Sequence, residues 1–213
     1  MTLTKSYSKN VIGHNKQQST NRHPPIEQHN LQKTLLWLEE EVCTHKRLSK
    51  VDISLLSEIN TRLLNGVHYG SYGGGSFRNY DISIRNPIFH TTAHYTDIPK
   101  LLYSFLNSFY SVNFRQTPVI HRAAIIAANI CKIHPYVDGN GRTSRLASLV
   151  LLLNEGYRYN TGKTLENFVE DNSFLWTRGI KFAIHGHYDE MIGFYRKMVT
   201  SLMHKTLPTK GGL

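Results

Sequence analysis

Cysteine is scarce in this chain of 213 residues, which contains only Cys43 and Cys131. Both lie in apolar, helix-like sequence, so we expect reduced thiols in the core and no disulfide. A chain of this length can bury a substantial core without such cross-links. We therefore expect one domain, or one domain with an additional arm.

Long hydrophobic runs are missing as well. No stretch reaches the roughly 20 apolar residues that a membrane-spanning helix needs, and the N-terminus has no apolar segment of signal-peptide type. The sequence thus predicts no membrane partner. It also predicts a cytoplasmic location, either in the cell that makes the chain or in a host cell into which it is delivered.

Acidic residues are few: 15 Asp and Glu stand against 25 Lys and Arg, which gives a formal net charge of +10. Such an excess favours anionic partners, namely nucleotides, nucleic acid or an acidic protein. The basic residues are scattered, however, and no Lys/Arg block or recognition-helix pattern is visible. We expect a basic surface without specific nucleic-acid binding, which stays open as the weaker alternative.

The sequence divides into an arm, a body and a tail. Residues 1–30 are polar, carry a Pro24-Pro25 break and predict a flexible arm. Residues 31–204 form the body and residues 205–213 a tail. In the body, apolar residues at helical spacing predict an all-α bundle, while alternation around residues 80–89 predicts one short β-hairpin. The predicted helices cover residues 31–42, 51–66, 97–111, 117–133, 143–156, 164–178 and 188–204.

The segment "HPYVDGNGRTSR", residues 134–145, lies between the two most apolar predicted helices. Gly139 and Gly141 allow left-handed backbone angles, so that successive backbone N–H groups can converge into a concave anion site. Asn140, between them, carries a carboxamide that can donate or accept. The next helix, predicted from Thr143, directs its positive end at the same place.

Charged side chains complete the chemistry of this segment. Arg142 and Arg145 can reach the same face and suit phosphate oxygens, which makes the site large enough for a polyphosphate. Asp138 fits as a ligand of Mg²⁺ bridging those phosphates. His134 titrates near neutral pH and fits a general base. The alternative, a glycine-rich turn between two core helices, explains each residue singly but not the whole string.

The segment resembles the signature of Fic-domain proteins, His-x-Phe-x-(Asp/Glu)-Gly-Asn-Gly-Arg-x-x-Arg, with Tyr136 in place of the usual Phe. The similarity extends over about residues 50–200. It implies a Fic-type helical bundle with a β-hairpin flap beside the active site. A tyrosine at this position needs a partner or a wet edge for its hydroxyl.

The resemblance also implies an activity: transfer of AMP from ATP to a Ser, Thr or Tyr hydroxyl of a target protein, with release of pyrophosphate. It implies that His134 is the general base and that Asp138 holds Mg²⁺. Gly139, Asn140, Gly141 and Arg142 would then bind the α- and β-phosphates, and Arg145 the γ-phosphate. Relatives of the death-on-curing type transfer phosphate and lack the equivalents of Gly141 or Arg142.

Other functions remain open at this point. The same site could move UMP, phosphate or another phosphate-linked group, could remove AMP, or could be a non-catalytic toxin-antitoxin module. Two other motifs are interpreted as structural. "GYRYNTGKT", residues 156–164, is one residue too long for a P-loop and follows an apolar helix. "HGH", residues 185–187, lacks further metal ligands and fits a helix end.

Two expectations concern regulation and targets. The hairpin, through Ile82, Ile84 and Asn86, is expected to dock the target by strand addition. Many Fic-domain relatives carry a (Ser/Thr)-x-x-x-Glu-(Gly/Asn) helix whose Glu pairs with the second motif arginine. Glu27 and Glu58 match it incompletely, and no acidic residue follows Glu190. We therefore expect no self-inhibition, and control by an antitoxin that presents a Glu in trans.

Overall fold

The computed structural model describes residues 25–67, 73–84, 90–160 and 164–206. This part of the chain is mostly helical, as predicted, with short antiparallel strand pairs at its edge. The helices are α1 Pro25–Glu39, α2 Ile53–Leu63, α3 Ile98–Phe109, α4 Val112–Arg115, α5 Val119–Ile133, α6 Asn140–Asn154, α7 Leu165–Asp171, α8 Ser173–Ile184 and α9 Asp189–Leu202. The strands are β1 Ser83–Ile84, β2 His90–Thr91, β3 Tyr157–Tyr159 and β4 Met203–Lys205.

Helices α5 and α6 form the centre of the bundle. Both are apolar around most of their circumference, which places them in the core: α6 is buried continuously from Arg142 to Leu153. Helices α2, α3, α8 and α9 pack around this pair. Because α5 ends at Ile133 and α6 begins at Asn140, the six residues between them emerge at one end of the buried pair.

Helix α1 begins six residues before the predicted start of the body, so the prediction of an arm over residues 1–30 is wrong for residues 25–30. Pro25 occupies the first helical position, where its fixed φ suits the helix and its missing N–H costs nothing. Asn30 then donates to the Leu63 and Asn65 carbonyls at the end of α2, at 3.1 and 2.7 Å. Residues 1–24 lie outside the described part.

The predicted hairpin is present between α2 and α3. Strands β1 and β2 pair antiparallel, with Ser83 opposite Thr91 and Ile84 opposite His90. The Thr92 hydroxyl donates to the Ile82 carbonyl at 2.6 Å and so extends the pairing by one residue. Asn86, where the turn was predicted, lies outside the described residues.

A second strand pair was not predicted. Strand β3 follows α6, and β4 follows α9, with Tyr157 opposite Lys205 and Tyr159 opposite Met203. The helix predicted over residues 188–204 therefore ends at Leu202, and the body extends beyond the predicted boundary at residue 204. The remainder of the predicted tail, residues 207–213, lies outside the described part.

Two further helix boundaries differ from prediction. The helix predicted over residues 164–178 is two helices, because the chain turns at Asn172 between α7 and α8. Thr164 caps α7 by accepting the Asn167 N–H at 3.1 Å. Asp52 likewise caps α2 by accepting the Leu55 N–H at 2.9 Å.

Both cysteines are free thiols, as expected. Cys131 is buried, and its Sγ lies 3.1 Å from the Ser144 hydroxyl, where it helps to hold α5 against α6. Burial raises the pKa of the Cys131 thiol, which keeps it protonated and unreactive. None of the helices in the described residues has the length and apolar character needed to cross a membrane.

Candidate active site

His134 ends α5 in a strained backbone conformation. Its φ of 55° and ψ of 61° lie in the left-handed region, which costs a non-glycine residue roughly 1–2 kcal/mol. Its N–H still donates to the Ile130 carbonyl at 2.9 Å. Residue 134 therefore closes the helix and turns the chain into the motif loop, which places its side chain at the end of the buried α5–α6 pair.

The contacts of the His134 ring assign its tautomer. Nδ1 lies 3.2 Å from the Cys131 carbonyl oxygen, which can only accept a hydrogen bond. Nδ1 must therefore carry the proton in this contact, and the basic lone pair of the neutral ring lies on Nε2. The side chain is half-buried. An imidazole held in this way is suited to accept a proton through Nε2.

The anion site predicted from the motif falls at the N-terminus of α6. Gly139 is its N-cap, with φ 77°, and a Cβ there would approach the Asn60 side chain to 3.0 Å. The helix begins at Asn140, three residues before the predicted start at Thr143, so Gly141 belongs to the first turn rather than to a free loop. Backbone N–H groups of this turn point out of the helix end, where they can bind phosphate.

The Asn140 side chain has a different role from the expected one. Its Oδ1 accepts the Tyr136 N–H at 2.9 Å, and its Nδ2 donates to the Tyr136 carbonyl at 2.8 Å. The carboxamide, 2% exposed, is thus committed to closing the loop. Any contact of Asn140 with phosphate would therefore have to come from its backbone N–H.

Tyr136 anchors the loop in the core. Its ring is 1% exposed and packs against Phe77, with ring centroids 5.8 Å apart. Burial raises the pKa of the Tyr136 hydroxyl, an effect that Ser57 partly offsets. Within the described residues the hydroxyl makes no hydrogen bond of ordinary geometry, so the departure from Phe leaves a buried polar group poorly satisfied.

Asn60, on α2, holds the motif loop from outside, and the sequence analysis missed it. It is 1% exposed. Its Nδ2 donates to the Asp138 carbonyl at 3.0 Å and to the Thr143 hydroxyl at 3.1 Å, and its Oδ1 accepts the Gly75 N–H at 2.8 Å. This last bond fixes the chain after α2 at Gly75. Asparagine inside an amphipathic helix was the available signal, since a buried amide needs partners.

Arg142 lies between two carboxylates. One guanidinium nitrogen donates to Asp138 Oδ2 at 3.0 Å, and another donates to Glu27 Oε2 in a short contact. The Glu27 and Arg142 side chains are each only 5% exposed, whereas that of Asp138 is 40% exposed. No helix was expected here, yet Glu27 lies in the first turn of α1 and binds Arg142, the first motif arginine. The expectation of no self-inhibition was about pairing with the second motif arginine, Arg145.

Arg145 lies three residues after Arg142 on α6, close to the same helix face. Its guanidinium stacks over the Trp176 ring, 4.9 Å from the centroid. A Cβ at Gly141 would come within 3.3 Å of its terminal nitrogen, which places that nitrogen beside the helix end. Burial lowers the pKa of Arg145, but an arginine stays charged at neutral pH. Arg142 and Arg145 thus flank the same N-terminus.

The side chains near the motif could hold Mg²⁺ only together with the phosphates of a bound nucleotide. No group of three or more His, Cys, Asp or Glu that could hold a metal occurs in the described ranges. Asp138 is the carboxylate nearest the motif glycines in sequence, and its side chain is accessible. Mg²⁺ often binds through one or two carboxylates plus substrate phosphates and water, and Asp138 meets that requirement.

The other residues singled out from the sequence lie elsewhere. Ile82 and Ile84 are half-buried in and beside β1. His185, from "HGH", is the C-cap of α8, in agreement with the helix-end interpretation. Residues 157–159 of the near-P-loop form β3, and residues 161–163 lie outside the described part. Arg78, just before the hairpin, is fully buried beside the motif loop and was not singled out.

Comparisons with known proteins agree with this architecture. A family model described as the Fic/DOC family matches residues 50–152. The chain is 33% identical over 115 residues to a protein from Drosophila sechellia named protein adenylyltransferase Fic; the alignment covers 52% of this chain and 22% of that protein. A protein of the same name from Drosophila grimshawi is 30% identical over 112 residues. The chain thus spans less than a quarter of these relatives' length.

Solved structures have the same fold. Fic-1 from C. elegans superposes with a TM-score of 0.64 at 16% identity, covering 84% of this chain and 51% of that one. BepC, a translocated effector protein from Bartonella tribocorum solved with bound AMPPNP, gives a TM-score of 0.59 at 15% identity and covers 87% and 90%. At such low identity these likenesses show the fold. The family match shows that residues 50–152 of this chain, which include the loop carrying His134 and Arg145, belong to the Fic/DOC family.

Proposed function

We propose that this chain is a protein adenylyltransferase that transfers AMP from ATP to a Ser, Thr or Tyr hydroxyl of a target protein and releases pyrophosphate. One observation carries the proposal: His134, with its lone pair on Nε2, and the N-terminus of α6, flanked by Arg142 and Arg145, lie at the two ends of one short loop. The names of the Drosophila relatives support it. So do the AMPPNP bound to BepC and the ADP bound to a Bartonella quintana relative.

The phosphate chain of ATP is assigned to the first turn of α6. Backbone N–H groups after Gly139 bind phosphate oxygens, and the helix dipole adds favourable charge. Arg142 and Arg145, three residues apart on α6, neutralise the remaining charge. Phosphoryl-type transfer depends on placement and charge neutralisation more than on covalent catalysis, which is what this arrangement provides.

The reaction is a substitution at the α-phosphorus. The target hydroxyl oxygen forms the new P–O bond, the bond to the bridging oxygen breaks, and pyrophosphate leaves. His134 Nε2 takes the hydroxyl proton as the new bond forms, and the Cys131 carbonyl keeps the proton on Nδ1. General-base catalysis of this kind is worth about 10²–10⁴-fold.

Asp138 is the residue assigned to Mg²⁺. The ion, when bound, neutralises phosphate charge and orients the leaving pyrophosphate. Because Asp138 also accepts a hydrogen bond from Arg142, metal binding competes with or reshapes that contact. We expect Asp138→Asn to weaken Mg²⁺-dependent transfer.

We assign the described conformation to an inhibited state, on the basis of the Glu27–Arg142 ion pair. The Glu27 carboxylate occupies Arg142, and both side chains are buried, so that Arg142 cannot at the same time bind phosphate. In Fic-domain relatives that carry an inhibitory helix, the Glu pairs with the second motif arginine, whereas Glu27 contacts the first. If Glu27 inhibits the site from within the chain, an antitoxin is not needed for control. Control by an antitoxin in trans stays a prediction.

The β1–β2 hairpin is assigned to target docking. Its strands are only two residues long, which leaves main-chain groups to pair with an extended segment of the target. Ile82 and Ile84 are the side chains assigned to this surface, together with Asn86 of the predicted turn. A hydroxyl presented there would be brought to His134.

Labelled nucleotides test the proposal. The full chain and its Glu27→Gln variant are incubated with Mg²⁺, a cell lysate and ATP carrying label on either the α- or the γ-phosphate. Label from the α-position on protein is the expected result. Protein label only from the γ-position would indicate phosphate transfer, and label from UTP alone would indicate UMP transfer. Absence of label in every reaction would favour AMP removal or a non-catalytic module.

A further inference from the structure

Arg78 lies between α2 and the hairpin, and its guanidinium is completely buried. On the hairpin side it holds the chain both before β1 and after β2. One terminal nitrogen donates to the Tyr80 carbonyl at 2.8 Å. The other donates to the Thr92 hydroxyl at 3.2 Å and, in a short contact, to the Ala93 carbonyl. Arg78 thereby links the segment directly before β1 to the segment directly after β2.

The same residue also holds the motif loop. Its Nε donates to the His134 carbonyl at 2.8 Å, and one terminal nitrogen lies 3.4 Å from the Ile133 carbonyl. The Arg78 backbone N–H donates to the Pro135 carbonyl at 2.9 Å. One side chain and its own backbone thus bind three consecutive carbonyls, at the residue expected to act as the base and on both sides of it.

The chemistry of these contacts is unusual for a structural arginine. Its close partners are neutral oxygens, and the carboxylate of Asp81 is 3.6 Å away, with an exposed side chain. Burial lowers the pKa of Arg78, and Asp81 only partly offsets this. Burying a charge whose counter-ion stays exposed to solvent costs free energy that an apolar side chain would avoid. What the guanidinium provides instead is a planar set of donors fixed in direction.

That fixed direction matters at His134. Its left-handed backbone is strained, and such a conformation persists only where the surroundings hold it. Arg78 binds the His134 carbonyl, whose direction follows from ψ. Without that bond the residue can relax towards ordinary angles, and the imidazole moves with the backbone.

We propose that Arg78 is a positioning residue that fixes the hairpin and His134 as one unit, so that a target docked on the hairpin presents its hydroxyl to the base at a set distance. The proposal rests on the function proposed above and adds a residue to it. Arg78 does not touch the reacting atoms. It acts through the His134 carbonyl on one side and through the Ala93 and Tyr80 carbonyls on the other.

The nucleotide half of the site has an anchor of its own. Asn60 binds the Asp138 carbonyl and the Thr143 hydroxyl, and both flank the N-cap Gly139. Loss of Arg78 should therefore leave the phosphate site in place. Because the two anchors are separate, substitution of Arg78 should lower turnover on the target without lowering nucleotide affinity.

The experiment compares Arg78→Lys and Arg78→Met in the Glu27→Gln background, with Arg115→Lys as the matched control. Arg115 also donates to a backbone carbonyl, that of Tyr110 at 3.1 Å, but on exposed α4, away from the site. Turnover on the target, the Kd of an ATP analogue and thermal stability are measured for each. Hydrogen exchange is followed in residues 78–84, 92–94 and 133–138.

We expect Arg78→Met to lower kcat/KM for the target about 100-fold, the effect of misplacing a reacting group by roughly 1 Å. Arg78→Lys should retain more activity, because one of the donors remains. The Kd of the ATP analogue should change less than about twofold, since a bound ligand reports only the site that it touches. Exchange should rise together in the hairpin and in residues 133–138, and Arg115→Lys should change none of these.

Several outcomes would overturn the inference. Unchanged turnover in both variants would do so, as would a fall in nucleotide affinity equal to the fall in turnover. If Arg78→Lys and Arg78→Met both unfold, Arg78 is needed only for the stability of the core and has no separate positioning role. If the parent chain transfers no label, the proposed function fails, while joint exchange of the two segments in Arg78→Lys still tests the coupling that Arg78 is proposed to make.

Discussion

Glu27 and Arg142 form a buried ion pair that joins the first turn of α1 to the first turn of α6. Glu27 lies outside residues 50–152, which the family model matches. The contact therefore adds to the family domain a carboxylate that the motif itself does not contain. Because Arg142 also binds Asp138, the pair affects both the phosphate site and the expected metal ligand.

Glu27→Gln should raise AMP transfer about tenfold or more, within the range of coupling free energies of 1–3 kcal/mol between sites. The neutral amide releases Arg142 for phosphate. The same change should lower the free energy of unfolding by about 3 kcal/mol, because it leaves a buried charge with a weaker partner. Auto-modification assays and urea denaturation measure the two effects.

Glu58→Gln is the control for that variant. Glu58 pairs with Arg62 on the exposed face of α2 at 2.7 Å, and exposed pairs contribute little. Neither activity nor stability should change appreciably. Equal activity in Glu27→Gln and the parent chain would mean that the buried pair is purely structural, and would return attention to an inhibitor in trans.

His134→Asn should abolish transfer while nucleotide binding persists. Asparagine tolerates left-handed backbone angles, so the substitution removes the base without forcing the loop to refold. Turnover should fall by about 10²–10⁴-fold, measured with α-labelled ATP, and the Kd of an ATP analogue should stay the same. His187→Ala, an exposed substitution after α8, serves as the control. Residual turnover above about a hundredth of the parent value would exclude the base role.

Tyr136→Phe should stabilise the protein by about 1 kcal/mol, because it removes a buried hydroxyl without a well-formed hydrogen bond. Transfer activity should be unchanged. Tyr195→Phe is the contrasting variant. Its hydroxyl bonds the Ser148 hydroxyl at 2.7 Å, and its loss should cost about 1 kcal/mol. Chemical denaturation compares the two. Destabilisation by Tyr136→Phe would indicate that Ser57 or a buried water satisfies the hydroxyl.

Ile84→Pro should lower modification of the target at least tenfold and leave nucleotide binding intact, since proline removes a main-chain donor from the short strand β1. Ile84→Ala keeps that N–H and is the matched control, expected to lose only the side-chain contact. Steady-state kinetics with a purified target distinguish them. Equal activity of the proline variant, on a folded protein, would show that the hairpin does not dock targets by strand pairing.

Sequence reasoning identified the motif loop well because its chemistry is local. His134, Asp138 and Arg142 are close along the chain, and the two apolar helices that flank them are marked by their composition alone. Gly139 was correctly singled out for a left-handed turn, which is confirmed by its φ of 77°. The start of α6 was predicted three residues too late. Asn140 is already helical, and its side chain closes the loop by binding the backbone of Tyr136, a contact that composition does not reveal.

Local signals failed where partners are distant. Asn60 and Arg78 are 78 and 56 residues from the loop atoms that they bind. A polar residue on an apolar helix face can indicate that Asn60 needs partners, but no local pattern identifies which partners. Strands β3 and β4 pair across more than forty residues, so neither three-residue stretch carries a recognisable pattern. Pro24 and Pro25 were interpreted as helix breakers, although proline at a first helical position is compatible with a helix.

The amino-acid sequence by itself determined the family, the mostly helical fold and the loop that carries His134, Asp138 and the motif glycines. Each depends on residues near one another in the chain, or on the apolar surface of single helices. Tertiary structure alone decided that Glu27 reaches Arg142, and that Arg78 holds both His134 and the hairpin. Those contacts form only when helices pack, because burial removes water as the competing partner and leaves each charge to the groups that the fold places beside it.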